Sequence, residues 1–260
     1  RGPLDEVGFR DLTPYLQAEG FLDPARFVTT RYAPYTTRGG IFGLPHDVHP
    51  VMLAYRRDLF EQLGIDPARL TTWDKFIAEG RRVTRKGSRY MIMLPEAEPW
   101  ALQTFIYQRG GGYFDAAGEV TLDDAVVEDT LKWYVRLVAG ENRVGGDPGF
   151  WTSAFYHALR QGYVLSFVCP DWRGSMTELN AAYMEGIAGN MALMPLPAFE
   201  EGGRRTSTWG GTMIGITRKC RHPDLAWKLA KFLYSDPETL ASIFRDTSII
   251  PPLKDSWSHP

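Results

Sequence analysis

The sequence predicts an α/β fold, in which strands and helices alternate along the chain. Short apolar runs that end at proline or glycine indicate the strands. The clearest is residues 164–169, which should stop there because Pro170 has no backbone N–H to continue a ladder. Between such runs, apolar residues recur at helical spacing, most clearly in the segment that begins at Asp124. A length of 260 residues suits one large domain or two lobes.

The elements follow from apolar periodicity and from turn residues. The predicted strands are residues 40–45, 51–55, 90–94, 164–169, 190–193 and 212–217. The predicted helices are residues 57–63, 101–109, 154–161 and 175–185, with others that begin near Thr71, Asp124, His222 and Asp236.

Two of these helices carry specific expectations. Thr71 and Asp74 have the spacing of a capping box, so a helix should begin beside Thr71. The helix that follows His222 should bury one apolar stripe, formed by Ala226, Leu229, Ala230 and Leu233.

Composition narrows the class of partner. A net charge of -2 argues against a nucleic-acid binder that works through a broad basic surface. Aromatic residues make up 13% of the chain, including eight tryptophans, and such a surplus suits flat amphipathic ligands such as sugar rings. The two cysteines, Cys169 and Cys220, are too few for a disulfide scaffold, and their pairing stays open. No apolar run approaches the length of a membrane-spanning helix.

Catalytic and metal-binding motifs are absent from the sequence. There is no G-x-S-x-G elbow, no P-loop, no H-E-x-x-H and no G-x-G-x-x-G after a strand. His46 and His49 have a spacing that suits a metal on a helix, but Pro45 and Pro50 make this segment non-helical. We therefore predict no catalytic residue, no metal ligand and no cofactor.

Four predicted strand ends combine an aromatic or imidazole ring with a hydrogen-bonding group. The four pairings are Asp47 with His49, Glu98 with Trp100, Asp171 with Trp172, and Trp209 with Gly210 and Gly211. A single tryptophan is more often a core residue than a ligand platform. Four similar pairings favour a binding crevice in which sugar C–H faces stack on rings and hydroxyls meet acceptors. The alternative is a carbohydrate-cleaving enzyme that uses two of the carboxylates Asp47, Glu98 and Asp171.

The chain also resembles a known family, the extracellular solute-binding proteins of ABC importers, in the sugar-binding group that includes maltose-binding protein. The matching segments are I-F-G-L-P (41–45), A-Y-R-R-D-L-F (54–60), L-T-T-W-D (70–74), G-G-Y-F-D with Gly118 (111–118), G-Y to D-W (162–172), M-P-L-P (194–197), G-G (210–211) and D-L-A-W (224–227). They occur in the family's order over nearly the whole chain. Two departures are Cys169 and Asp171 around the G-P-W-like turn, and Ala54 and Arg56 where Tyr and Asn are usual.

The resemblance implies a two-lobed periplasmic-binding-protein-like fold of type II that closes on its ligand by hinge motion. Residues 1–47 and 213–250 would form the N-lobe, residues 52–208 the C-lobe, and residues 48–51, 209–212 and 249–254 the hinge crossings. Against the family, the first strands of the N-lobe and the C-terminal helices are expected to be missing.

The resemblance also implies a function without catalysis. The protein would be a monomeric, extracytoplasmic subunit, periplasmic or a cell-surface lipoprotein, that delivers a sugar or oligosaccharide to the permease subunits of an ABC transporter. The expected ligand-binding residues are Asp47, His49, Glu98, Trp100, Asp171, Trp172, Arg173, Trp209, Gly210 and Gly211. A non-sugar ligand on the same scaffold stays open: arginines such as Arg173 or Arg245 at the site would favour a phosphate ester, and clustered acids a polyamine.

Overall fold

The computed structural model describes residues 7–115, 117–174 and 186–258. The helix predicted at residues 175–185 lies outside these ranges. The chain divides into two compact units. Unit 1 comprises Arg1–His49 and Gly210–Pro260, and unit 2 comprises Pro50–Trp209. The third predicted crossing, residues 249–254, lies within unit 1.

Helices and strands are interspersed along the chain, which gives the α/β class that the sequence predicts. The helices are α1 (Thr13–Ala18), α2 (Arg57–Gln62), α3 (Trp73–Val83), α4 (Trp100–Gln108), α5 (Ala125–Val138), α6 (Ser153–Arg160), α7 (Pro223–Ser235) and α8 (Pro237–Thr247). The strands are β1 (Thr36–Thr37), β2 (Gly40–Ile41), β3 (Leu44–Pro45), β4 (Pro50–Arg56), β5 (Ile92–Met93), β6 (Gly145–Gly146), β7 (Ser166–Pro170), β8 (Met191–Met194), β9 (Ser207–Thr208) and β10 (Met213–Ile214). Among the helices of the described ranges, none has both the length and the apolar character that a membrane crossing needs.

Unit 2 is built on a mixed sheet with the strand order β6-β5-β7-β4-β8, and β9 also pairs with β4. Strand β5 runs parallel to β6 and β7, while β4 runs antiparallel to β7, β8 and β9. All five residues of β7 are buried, which explains why its sequence is a continuous apolar run rather than an alternating one. The strand ends one residue later than predicted, because Pro170 still pairs with Val51 at its last position.

Unit 1 contains two antiparallel strand pairs, β1 with β2 and β3 with β10. Its core includes Leu12, Leu16, Phe27, Leu44 and the helix residues Trp227 and Ala230. The apolar stripe predicted for α7 is therefore wrong in part. The helix turns Trp227 and Ala230 inward, whereas Leu229 is 56% exposed.

The N-terminus of α3 lies one residue later than the capping box predicts. Thr72, not Thr71, is the capping residue, and its side-chain oxygen accepts from the backbone N–H of Lys75 at 3.4 Å. The reason is a parallel bridge between Thr72 and Ala198, in which the Ala198 carbonyl accepts from the backbone N–H of Trp73. This bridge keeps Thr72 extended and delays the first helical turn.

Thr72→Ala should lower the free energy of unfolding by about 1 kcal/mol, because the first turn of α3 loses its cap. Urea-induced unfolding measures the difference. Thr71→Ala is the matched control: its hydroxyl accepts from the exposed Lys75 ammonium group, and its loss should cost about 0.5 kcal/mol or less. Equal losses from the two variants would contradict the assignment of Thr72 as the cap.

Candidate functional site

Aromatic side chains gather at one edge of the unit 2 sheet. Strands β5, β6 and β7 are parallel, and β9 has the same direction because both β7 and β9 are antiparallel to β4. The segments that leave these four strands therefore start from the same edge. They carry five rings, which we call the aromatic shelf: Trp100, Phe150, Trp151, Trp172 and Trp209.

The floor of the aromatic shelf is a buried pair of indoles. The rings of Trp100 and Trp209 stack with centroids 4.0 Å apart and planes 8° from parallel. Phe150 packs against both, at 4.7 Å from Trp100 and 5.2 Å from Trp209. Because Trp100 and Trp209 are both buried, we expect them to support the shelf from below.

The open part of the shelf consists of Trp151 and Trp172. Their rings lie 5.7 Å apart and are parallel within 5°. Trp151 is 57% exposed, and Trp172 is half-buried against the core of unit 2. Indoles that keep exposed surface are side chains on which the apolar face of a sugar ring can stack.

Glu98 links Trp100, in the buried floor of the shelf, to Trp151, in its open part. Its Oε2 atom accepts hydrogen bonds from Nε1 of Trp100 at 2.7 Å and from Nε1 of Trp151 at 3.2 Å. A single exposed carboxylate thus satisfies the polar edges of two indoles that come from different segments. The exposed Trp151 ring keeps apolar surface for other contacts, whereas the Trp100 ring is already stacked on Trp209.

Asp171 and Arg173 flank Trp172 in sequence, but Asp171 is half-buried and Arg173 is buried. The Asp171 side chain is half-buried, and its Oδ1 accepts from the backbone N–H of Trp172 at 2.8 Å. Arg173 is only 3% exposed, and it donates to the Phe150 carbonyl at 3.1 Å. Its guanidinium lies 4.2 Å from the Phe150 ring centre and 4.9 Å from that of Phe155, and burial lowers the pKa of Arg173. The cation therefore lies behind the shelf.

The predicted residues of unit 1 form a separate polar cluster centred on Asp47, which is fully buried. Its Oδ2 accepts from the backbone N–H of Thr212 at 2.9 Å and from the Thr212 hydroxyl at 2.6 Å. The same oxygen lies 2.5 Å from Nδ1 of His46 and 3.2 Å from Nε2 of His49. Burial alone would raise the pKa of Asp47, but the hydrogen bonds from His46, His49 and Thr212 hold that pKa well below its ordinary value of 3.8.

Arg31 ties this cluster to the glycine turn. It donates from Nε to the Asp47 carbonyl at 3.0 Å, and from Nη2 to Oδ1 of Asp47 at 3.3 Å and to the Gly210 carbonyl at 3.1 Å. Gly211 has a φ of +143°, and a Cβ atom there would collide with the Arg31 guanidinium. This close approach is the physical reason for a glycine at position 211.

Sequence reasoning did not identify Trp151 and Arg31. Trp151 follows β6, whose two residues are both glycines and carry no apolar strand signal. The Phe150–Trp151 pair directly after a Gly-Asp-Pro-Gly turn is the signal that could have identified this additional strand end. Arg31 lies in the short 3-10 helix Thr29–Tyr35, and no local motif links it to Asp47.

Comparisons with known proteins identify relatives for nearly the whole chain. A family model described as bacterial extracellular solute-binding protein matches residues 5–239. An arabinooligosaccharide-binding protein of Halalkalibacterium halodurans is 28% identical over 90% of this chain and 53% of its own length. A protein of the same description from Bacillus subtilis is 26% identical over 97% of this chain and 57% of its own length. The chain thus spans about half the length of these curated relatives.

A solved structure shows a similar fold. The sugar-binding protein MalE from Xanthomonas citri superposes with a TM-score of 0.78 at 22% identity, and the match covers 97% of this chain and 63% of that one.

Proposed function

Because the chain belongs to the family of bacterial extracellular solute-binding proteins, we propose that it is part of an ABC-transporter subunit that captures a sugar or oligosaccharide. The captured ligand would be delivered to permease subunits at the membrane. This function places the protein outside the cytoplasm, in the periplasm or on the cell surface as a lipoprotein, and requires no cofactor.

The observation that supports this proposal best is the parallel pair Trp151 and Trp172. Two parallel indoles, one 57% exposed and the other half-buried, offer stacking surfaces to sugar rings. The stacked rings of Trp100 and Trp209 would support this surface from the protein interior. The oxygens of Asp171 and Glu98 would accept hydrogen bonds from sugar hydroxyls at its margin.

The cluster around Asp47 has a different part in the proposal. Asp47 and His49 lie just before the chain leaves unit 1 at Pro50, and Gly210 and Gly211 lie just after it returns. We assign units 1 and 2 to the two lobes, and these two crossings to the hinge. The buried network would keep the unit 1 ends of both crossings in one arrangement, and the backbone at Gly210 and Gly211 would be available to a sugar hydroxyl.

A ligand panel tests the proposal. Intrinsic tryptophan fluorescence and calorimetry would be recorded with arabinotriose, maltose, galactobiose, glucose 6-phosphate and spermidine. We expect saturable binding of at least one neutral sugar at one site per chain. Four of the five shelf rings are indoles, so they both offer stacking surface to a sugar and contribute to the fluorescence signal. Saturable binding of spermidine or the phosphate ester alone would contradict the sugar assignment.

The same samples separate a binder from a hydrolase. After incubation with labelled oligosaccharides, chromatography should recover the sugar intact and bound in stoichiometric amount. Product that accumulates over many turnovers would contradict the proposed binding function and support an enzyme instead.

A further inference from the structure

The exposure of Glu98 and its hydrogen bonds to two indoles are properties that neither the family match nor the sequence motifs predict. It is exposed, and it holds the indole N–H groups of Trp100 and Trp151 on one oxygen. Trp100 is buried at the start of α4, whereas Trp151 is largely exposed in the segment between β6 and α6. The carboxylate is therefore a link between a fixed ring and one that is otherwise accessible.

This link determines the orientation of the exposed ring. Trp151 contacts Phe150 edge-on at 5.0 Å and Trp209 at 5.9 Å, but its polar edge is tied to Glu98. Without that hydrogen bond, we expect an indole that is 57% exposed to gain access to other rotamers, in which it is no longer parallel to Trp172. Glu98 is then a positioning residue for Trp151.

The charges around the shelf are asymmetric. Two carboxylates lie beside it: that of Glu98 is exposed, and that of Asp171 is half-buried. Arg173 is 3% exposed, and its guanidinium lies 4.2 Å from the Phe150 ring centre and 5.8 Å from that of Trp151. A carboxylate on a ligand beside Trp151 would be repelled by the exposed Glu98 carboxylate, whereas the Arg173 guanidinium is buried.

We propose that Glu98 holds Trp151 as an open wall parallel to Trp172, and that its charge restricts the aromatic shelf to uncharged sugars. This inference rests on the proposed function, since it names the class of sugar that the same site accepts. Arg173 is next to Trp172 in sequence, but it does not make this a phosphate site. Its guanidinium packs against the rings of Phe150 and Phe155.

The charge is tested with a pair of ligands that differ in one group. Arabinotriose and arabinotriose with its free primary hydroxyl oxidised to a carboxylate would be titrated by calorimetry at low ionic strength. The neutral form should bind the wild-type protein at least about tenfold more tightly. Glu98→Gln keeps an oxygen acceptor for both indoles but removes the charge, so the ratio of the two dissociation constants should fall by at least about fivefold.

Glu96→Gln is the matched control for charge. Glu96 is an exposed carboxylate two residues away, and its partner is Arg143 at 3.2 Å rather than a shelf residue. This variant should leave the ratio of the dissociation constants unchanged. A ratio that Glu98→Gln does not alter, or that Glu96→Gln alters equally, would overturn the assignment of selectivity to Glu98.

The positioning role is tested without any ligand. Glu98→Ala should increase acrylamide quenching of tryptophan fluorescence, because Trp151 loses its hydrogen bond, and Glu98→Gln should restore the wild-type value. The increase should disappear in a Trp151→Phe background. Quenching that is identical in the wild type and Glu98→Ala would overturn the positioning role.

The two proposals can fail separately. If no neutral sugar of the panel binds, the proposed function is contradicted, while quenching still decides whether Glu98 positions Trp151. If neutral and oxidised arabinotriose bind the wild type equally, the proposed function stands and the selectivity is contradicted.

Discussion

Asp47→Ala is expected to lower the free energy of unfolding by about 3–5 kcal/mol, because it removes one partner from a buried ion pair. Asp47 is fully buried and Arg31 is 8% exposed, so the guanidinium would lose a carboxylate that water cannot replace. The backbone N–H and hydroxyl of Thr212 would lose their acceptor in the same step. Urea-induced unfolding, followed by circular dichroism, measures the loss.

The control is a carboxylate–arginine pair at the surface of the same unit. Asp255 and Arg26 lie 3.1 Å apart, with side chains 47% and 44% exposed. Asp255→Ala should cost less than about 1 kcal/mol, since solvent already screens this pair. A loss from Asp47→Ala as small as that from Asp255→Ala would contradict the structural role of the buried network.

The same carboxylate predicts how stability depends on pH. The folded-state pKa of Asp47 is lowered from 3.8, so its contribution is present above that pH and is lost as the pH falls further towards the folded-state value. The difference in unfolding free energy between the wild type and Asp47→Ala should therefore narrow below pH 3.8. A difference that stays constant down to about pH 2 would contradict the lowered pKa.

Trp172→Ala is expected to weaken sugar binding at least tenfold, a loss of about 1.4 kcal/mol or more, as is typical when a central aromatic anchor is removed. The half-buried ring is one of the two open faces of the aromatic shelf, and its removal leaves Trp151 without its parallel neighbour. The fold should persist, because Trp172 packs on the edge of the unit 2 core rather than inside it. Calorimetry with the tightest neutral sugar measures the change.

Trp257→Ala is the matched control for this substitution. Trp257 is 55% exposed, and its Nε1 donates to the Pro251 carbonyl in unit 1, outside the aromatic shelf. Its loss should leave sugar affinity within about twofold of the wild type. An unchanged affinity in Trp172→Ala would remove Trp172 from the site.

Sequence reasoning predicted the family and the α/β class correctly, and the family match and structural likeness confirm both. It succeeded where a signal is local or recurs along the whole chain, such as the apolar run of β7 or the spacing of turn motifs. It failed on the cap of α3, because the bridge from Thr72 to Ala198 joins residues distant in sequence. The inward face of α7 was partly wrong because tertiary packing selected Trp227 over Leu229.

In the candidate site, too, sequence reasoning failed where a feature depends on contacts between residues distant in sequence. Glu98, Trp100, Trp172 and Trp209 could be chosen as strand-end residues, but sequence could not separate a supporting ring from an open one. That distinction depends on the stack of Trp100 on Trp209, which joins segments more than a hundred residues apart. The choice of Glu98 as an anchor for Trp151 likewise requires knowing that both segments leave the same edge of the sheet.

The common origin of the aromatic shelf has an evolutionary consequence. All its rings come from the segments that follow four strands of the unit 2 sheet, while the strands themselves contribute to the core. Such segments can change in length and composition without disturbing the pairing beneath them, so recognition and scaffold are free to diverge at different rates. Grafting these segments as a set between homologues is then a rational route to exchanging their ligand preferences.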